Sequence, residues 1–391
     1  MYPDSETREL DVALLDWLRQ APAGFVRLAP TRSASYGLDA ARAEALASRF
    51  EELAMALFHY QYERVPTYRQ FAQLLGRTPS SIRRAAEVPP LPVAALRRTR
   101  VATFPPESER ASFRTSGTTG DPGVLHLDSL DLYDVSLERA FEHHVMPDTD
   151  RIVMVLLVSP PHESPHSSLG YMLERLRRRW GAPRSATFMR GEQLQWEELR
   201  RALEESVAAG EPVCLLGTAF AFVQLLDAAA DSAWSVRLPG ASRLFETGGY
   251  KGRSRALDRK TLYAKLNEAL GIPVTHMVSE YGMTELGSQY YTLTLRAALR
   301  NEAIPPVESW SAPFWLRPRL MDSESGVCTE AATASAPGLL THHDLANRGS
   351  VAHWLCSDLG APAPPSFQLL GRAPRADLRG CGLVHERSDA V

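Results

Sequence analysis

Cysteine is scarce in this chain. Its four residues, Cys214, Cys328, Cys356 and Cys381, lie too far apart for a C-x-x-C metal knuckle, and a cytosolic chain would keep them reduced, so no disulfide is expected. Long apolar runs are missing too. No stretch of about 18 apolar residues is available to span a membrane, and the opening residues, with Asp4, Glu6 and Glu9 and no apolar core, are not a secretory signal. A cytoplasmic location is expected. An excess of charge of one sign is nearly absent, with a net of −3. With no basic stripe and no run of aromatics and arginines, nucleic acid is not an expected partner. Arg175, Arg177, Arg178 and Arg179 read as the wet face of a helix.

One apparent metal signature fails on its surroundings. His162-Glu163-Ser164-Pro165-His166 spells H-E-x-x-H, which needs both histidines on one helical face, whereas Pro160, Pro161 and Pro165 would break any helix there. Zinc is discarded.

What is present is a chain of 391 residues, 44% hydrophobic, able to bury a large core in two or three subdomains. Residues 8–100 read as helical, and Leu46, Phe50, Leu53, Leu57 and Tyr60, at spacings of three and four, predict an amphipathic helix over 39–62. From 151 strands and helices alternate: strand 151–158, helix 167–180, strand 186–189, helix 192–209, strand 212–216, helix 219–230, strand 242–246, helix 254–270 and strand 272–277. Such alternation predicts an α/β fold with mostly parallel sheets flanked by helices. After residue 300 the pattern turns proline-rich and strand-like, through Trp315–Leu320 and Gly338–Thr341. The expected division is a helical region over 1–100, an α/β core over 101–336 and a short C-terminal subdomain over 337–391.

Two segments carry chemistry. Thr115-Ser116-Gly117-Thr118-Thr119-Gly120-Asp121-Pro122-Gly123 is a hydroxyl- and glycine-rich loop whose backbone N–H groups and hydroxyls can converge on an anion, phosphate being the natural guest. Far downstream, Ser279-Glu280-Tyr281-Gly282-Met283-Thr284-Glu285 offers a flat ring, a small turn residue, a hydroxyl and a carboxylate. Those groups suit a purine, a phosphate oxygen and a divalent cation. Together they suggest ATP chemistry. The loop is not a Walker A motif, because it lacks both the G-x-x-x-x-G-K-S/T spacing and the lysine.

In this order the two segments resemble the acyl-adenylate-forming superfamily, whose loop reads roughly S/T-S-G-T-T-G-x-P-K and whose second motif reads Y-G-x-T-E. Leu355-Cys356-Ser357-Asp358-Leu359-Gly360 is similar to its T-G-D-L-G, and Leu370-Gly371-Arg372 to its hinge G-R. The tail, Asp377-Leu378-Arg379-Gly380-Cys381-Gly382-Leu383, resembles one branch: the acyl-protein synthetases of bacterial bioluminescence, LuxE-type or long-chain-fatty-acid luciferin-component ligases, whose acylated cysteine lies in a terminal R-G-C. Glu246-Thr247-Gly248-Gly249-Tyr250-Lys251-Gly252 and Asp344-Leu345-Ala346-Asn347 extend the likeness over most of the chain.

The resemblance implies the adenylate-forming large-domain fold without its full mobile C-terminal domain, with ATP and Mg²⁺ as cofactors. Thr115, Ser116, Gly117, Thr118, Thr119 and Gly120 would hold phosphates, Thr284 would steady the α-phosphate, and Glu285 would carry Mg²⁺. Tyr281, flanked by Glu280 and Gly282, would stack on adenine, with Gly248 and Gly249 admitting the base; Asp358 would hold the ribose, and Arg372 marks the hinge. A fatty or similar carboxylic acid would become an acyl-adenylate, pass to Cys381 as a thioester and go on to a partner acyl reductase. Cys381 suits that part, because Arg372, Arg375 and Arg379 lie close in sequence to favour its thiolate, and Gly380 and Gly382 let it swing. His385 is placed to take its proton. One departure stands out: the loop ends in Gly123 where the superfamily has lysine, so Lys251 or Arg114 is expected to supply the cation. Two rival readings remain open: transfer of the acyl group to an external thiol or amine, such as coenzyme A or a carrier protein, and a silent nucleotide-binding scaffold.

Overall fold

The apolar run expected at 151–158 holds a strand, Val153–Leu157, every residue of which is buried. A strand apolar on both sides belongs in the interior of a sheet, between two other strands and covered on both faces. In the computed structural model, which describes residues 4–23, 40–115, 122–248, 257–363 and 366–373, that is where it lies. The described chain divides into two compact units, one made of Met1–Leu137, Met283–Gln289 and Glu308–Val391, the other of Glu138–Gly282 and Tyr290–Val307.

The second unit is built on a six-stranded sheet. In spatial order its strands are Tyr290–Tyr291, Met277–Tyr281, Arg243–Thr247, Val213–Thr218, Val153–Leu157 and Ala186–Thr187. All neighbours are parallel except the first pair, which is antiparallel. Helices Ser168–Trp180, Trp196–Ala209, Ala219–Asp231 and Arg259–Leu270 alternate with the strands. Their starts are set by side chains that accept an orphan backbone N–H: Ser167 from Gly170, Thr218 from Ala221, Asp258 from Thr261. Met172, Leu173, Leu176 and Trp180 form the buried stripe of the first of these helices. On its other side Arg177 and Arg178 pair with Glu174, and Arg175 with Glu138, so the arginines are the solvated face the sequence implies. Leu199, Leu203, Phe222, Leu225, Leu244, Leu262 and Leu266 join the strand side chains in one core.

Two stretches of this unit depart from the sequence reading. The strand expected at 272–277 lies at Met277–Tyr281, and Val274–His276 forms a short 3₁₀ turn. Pro273, with no N–H and a fixed φ, cannot join a ladder, so pairing starts at Met277 opposite Leu244 and runs to Glu280 opposite Thr247. Tyr281 therefore ends the strand instead of following it. The helix expected at 192–209 begins at Trp196, because Met189–Arg190 and Gln193–Leu194 form a tight hairpin around Gly191, whose φ of +54° suits glycine. The H-E-x-x-H segment is a run of turns, with His162 exposed and the next helix starting at Ser168.

The first unit opens with helices α1 (Ser5–Gln20), α2 (Ala40–Arg64) and α3 (Pro66–Leu74). Phe50, Leu53, Leu57 and Tyr60 of α2 are buried, as their spacing requires, and Pro66 takes the first position of α3. The unit's sheet has seven strands: Ser309–Trp310, Ser366–Arg372, His353–Ala363, Gly338–Asp344, Leu316–Met321 and Cys328–Glu330 in order, with Leu91–Pro92 also paired to His353–Ala363. Apart from that last pairing it is antiparallel. A separate hairpin joins Ala111–Arg114 to Val124–Leu127.

Candidate functional site

The hydroxyl-rich loop is the connection of that hairpin. Arg114 pairs with Val124. Beyond them Thr115 N–H donates to the Gly123 carbonyl at 2.9 Å, and Gly123 N–H donates to Thr115 Oγ1 at 2.9 Å. Thr115 thus closes the loop and its hydroxyl is already engaged. Gly123, where the superfamily has lysine, has little room: a Cβ there would lie 3.2 Å from Leu96 Cβ and 3.3 Å from Thr115 Cγ2. Ser116, Gly117, Thr118, Thr119 and Gly120 lie outside the described residues, as do Gly249, Lys251 and Cys381.

In the same unit Glu285 is buried, and its carboxyl is pushed up to about 7. Burial is the main cause; its own backbone N–H, Arg97 and Arg372 pull the other way, while the charge of Asp358 adds to the rise. Asp358 and Arg372 face each other across the strands His353–Ala363 and Ser366–Arg372, with Arg372 Nε 3.9 Å from Asp358 Oδ1. Three residues expected from separate motifs, Glu285, Asp358 and Arg372, are therefore brought together. Arg97, at the end of the 3₁₀ segment Val93–Arg97, joins them. It has no motif to announce it in the sequence. Thr284 is half-buried beside Glu285.

In the other unit Gly248, at the end of the strand Arg243–Thr247, has a φ of +70° that only glycine adopts readily. Glu280 and Tyr281 close the strand Met277–Tyr281, and Gly282 beyond them is exposed. The Tyr281 ring leans on Tyr290, centroid to centroid 5.7 Å, and stays half-buried. Glu280 is fully buried and accepts a hydrogen bond from Thr247. Burial, abetted by Glu246, pushes its carboxyl up to about 7 against the pull of that bond. Glu246, which heads the Glu246–Gly252 segment of the family likeness but has no role assigned from sequence, is a buried hub: its Oε2 accepts from Ser279 Oγ at 2.8 Å and from Tyr263 OH and Arg259 Nε at 3.3 Å. Cys214 is buried and inert, its thiol pushed up to about 12 by desolvation.

Comparison with known structures shows the same fold in a coenzyme A ligase. The chain is similar to 2-hydroxyisobutyryl-CoA ligase in complex with 2-HIB-AMP and CoA in the thioesterification state, with a TM-score of 0.58 and 14% identity over 86% of this chain and 68% of that one. An open conformation of the same ligase, in complex with 2-HIB-AMP and CoA, gives a TM-score of 0.57 and 13% identity over 83% and 75%. The family model of the acyl-protein synthetases, LuxE, matches residues 38–388, and the chain belongs to that family. No curated protein matches it in sequence. The protein is an acyl-adenylate-forming ligase, a class that activates a carboxylic acid with ATP. Among the described residues no helix is long and apolar enough to cross a membrane.

Proposed function

We propose that the enzyme activates a fatty or similar carboxylic acid and stores it on its own Cys381 for delivery to an acyl reductase. A carboxylate oxygen attacks the α-phosphorus of ATP, forming the mixed anhydride and expelling pyrophosphate, while Ser116, Thr118, Thr119 and loop amides bind the β and γ phosphates. Thr284 steadies the α-phosphate. Asp358 holds the ribose and Tyr281 stacks on adenine with Gly248 and Gly249 beside it. The sulfur of Cys381 then attacks the acyl carbon, its proton passing to His385. The bond to AMP breaks, and a thioester remains on the enzyme.

The observation that supports this reading best is the buried carboxyl of Glu285, the acid of the family motif, beside Asp358 and two arginines. Its fit to Mg²⁺ rests on the donor set. That ion keeps waters and phosphate oxygens and takes one or two protein carboxylates, and Glu285 offers one, with Asp358 near enough for its charge to act on it. When bound with ATP it would offset phosphate charge. Arg97 and Arg372 are suited to supply the cation missing at Gly123, and Lys251 is a further source.

The test is intact mass after incubation with ATP, Mg²⁺ and a panel of organic acids. A hydroxylamine-labile acyl adduct, absent from Cys381→Ser, is the expected result. Turnover without an adduct, dependent on an added thiol, would move the reading to the external-acceptor ligase, the chemistry named for the coenzyme A ligase of similar fold.

A further inference from the structure

Within the segment that carries Glu285, Leu286 N–H donates to the Met283 carbonyl at 3.1 Å. The segment also meets a second turn, residues 344–347. Asn347 Nδ2 donates to the main-chain carbonyl of Glu285 at 2.6 Å. The carboxylate of Asp344 accepts from Ser288 Oγ at 2.6 Å and from the Ala346 N–H of its own turn at 3.0 Å. The two turns touch: a Cβ on Gly287 would sit 3.0 Å from the Ala346 carbonyl oxygen.

That second turn is itself held from several directions. The Asn347 amide cannot rotate freely, because Ser350 Oγ donates to its Oδ1 at 2.7 Å while Nδ2 is engaged with Glu285. Gln61, buried on α2, donates to the carbonyls of Asn347 at 2.8 Å and Arg348 at 3.3 Å, and accepts from Ala352 N–H at 2.9 Å. Arg348 is gripped by Asp11 of α1 and by Asp128, at 2.7 and 2.8 Å. A polar residue as buried as Gln61 is costly unless every group is paired, and here its amide spans both strands of the turn. Two N-terminal helices thus end, through one glutamine and one arginine, on the turn that holds the Glu285 backbone.

We infer that Asn347, backed by Gln61 and Asp344, is a positioning residue for adenylation: it fixes the Glu285 main chain and so the place of the Glu285 carboxyl. The inference rests on the reading of Glu285 above. An amide at 2.6 Å from a buried carbonyl leaves that carbonyl unsatisfied when removed, and a shift of about 1 Å in a group acting on the reacting phosphates costs on the order of a hundredfold in rate.

The experiment is acid-dependent pyrophosphate–ATP exchange on the full chain, with Asn347→Ala, Gln61→Met, Glu285→Gln and the Glu285→Gln/Asn347→Ala pair, each melted in parallel. Asn347→Ala is expected to lower the exchange rate by about ten- to a hundredfold and to raise the Mg²⁺ concentration at half-saturation, with the KM for the acid unchanged. Gln61→Met shifts both in the same direction by less. If Asn347 acts through Glu285, the double variant is no slower than Glu285→Gln alone. Losses that multiply in the double variant, or a fall that follows the melting temperature with Mg²⁺ dependence unmoved, would overturn the inference. So would parental values in Asn347→Ala and Gln61→Met beside a dead Glu285→Gln, which leaves the Glu285 reading intact. Parental exchange in Glu285→Gln itself would sink both.

Discussion

Thr247 and Glu280 face each other at the last matched pair of two parallel strands, and the threonine hydroxyl donates to the buried carboxyl. Desolvation raises that carboxyl from 4.5 to about 7, so between those values the folded chain holds a proton that the unfolded chain has released. Stability from this group is complete below the unfolded value and is lost as pH rises through 7, up to roughly 3 kcal/mol. Glu280→Gln keeps an acceptor for Thr247 and has nothing to ionise. Urea unfolding at several pH values should therefore show a shallower decline from acid to neutral pH in the variant; an unchanged slope would show that Glu280 does not carry the proton.

Glu285 predicts a proton in binding. Its carboxyl, pushed up to about 7 chiefly by burial, is largely neutral in slightly acidic solution. A divalent cation delivered with ATP favours the ionised form, so binding near pH 6 should release most of a proton and binding at about pH 8 almost none. Calorimetry of Mg·ATP binding in buffers of different ionisation enthalpy measures the difference. Glu285→Gln should abolish it, and proton release that survives the substitution would place the titrating group elsewhere.

The sequence made the parallel sheet and the motif residues legible because both depend on local pattern: apolar runs such as Val153–Leu157, and chemistry-bearing residues at fixed spacing. It misled where one residue vetoes a pattern. Pro273 moves the strand to Met277–Tyr281, and the turn at Gly191 moves the helix start to Trp196. It was silent on partners joined only by the fold. Gln61 sits 286 positions from Asn347, and nothing in the spacing of α2 distinguishes a buried glutamine from a solvated one. Arg97 likewise earns its place by standing near Glu285, a proximity that no motif announces.

Arg243 lies fully buried in the central sheet of its unit, donating to both carboxylate oxygens of Asp148, at 2.6 and 3.0 Å, and to the carbonyl of Val145 at 2.8 Å. Asp148→Ala would leave a guanidinium out of water without its counter-charge. Removing one partner of a fully buried pair costs about 3–5 kcal/mol; Asp148 is partly exposed, so about 2 kcal/mol is expected by denaturant titration. Arg243→Met with Asp148→Ala should recover much of that loss, since the stranded charge is gone. A double variant as unstable as the single would show that packing of the arginine stem, not its charge, is what the sheet requires.

The missing lysine of the loop gives the last prediction. Gly123 is stitched to Thr115 by two hydrogen bonds, one from the Thr115 backbone N–H and one to the Thr115 hydroxyl, and any Cβ there meets Leu96 and Thr115 within 3.3 Å. Restoring the superfamily residue by Gly123→Lys should therefore destabilise the hairpin by about 1 kcal/mol and give no faster pyrophosphate exchange, with Gly123→Ala showing the steric part alone. Leu96 adjoins Arg97, whose charge already acts on the Glu285 carboxyl. Arg97→Ala should slow exchange by about a hundredfold, the loss expected when a transition-state charge partner is removed. Faster exchange in Gly123→Lys with parental melting, or parental exchange in Arg97→Ala, would show that the cation comes from elsewhere in the chain.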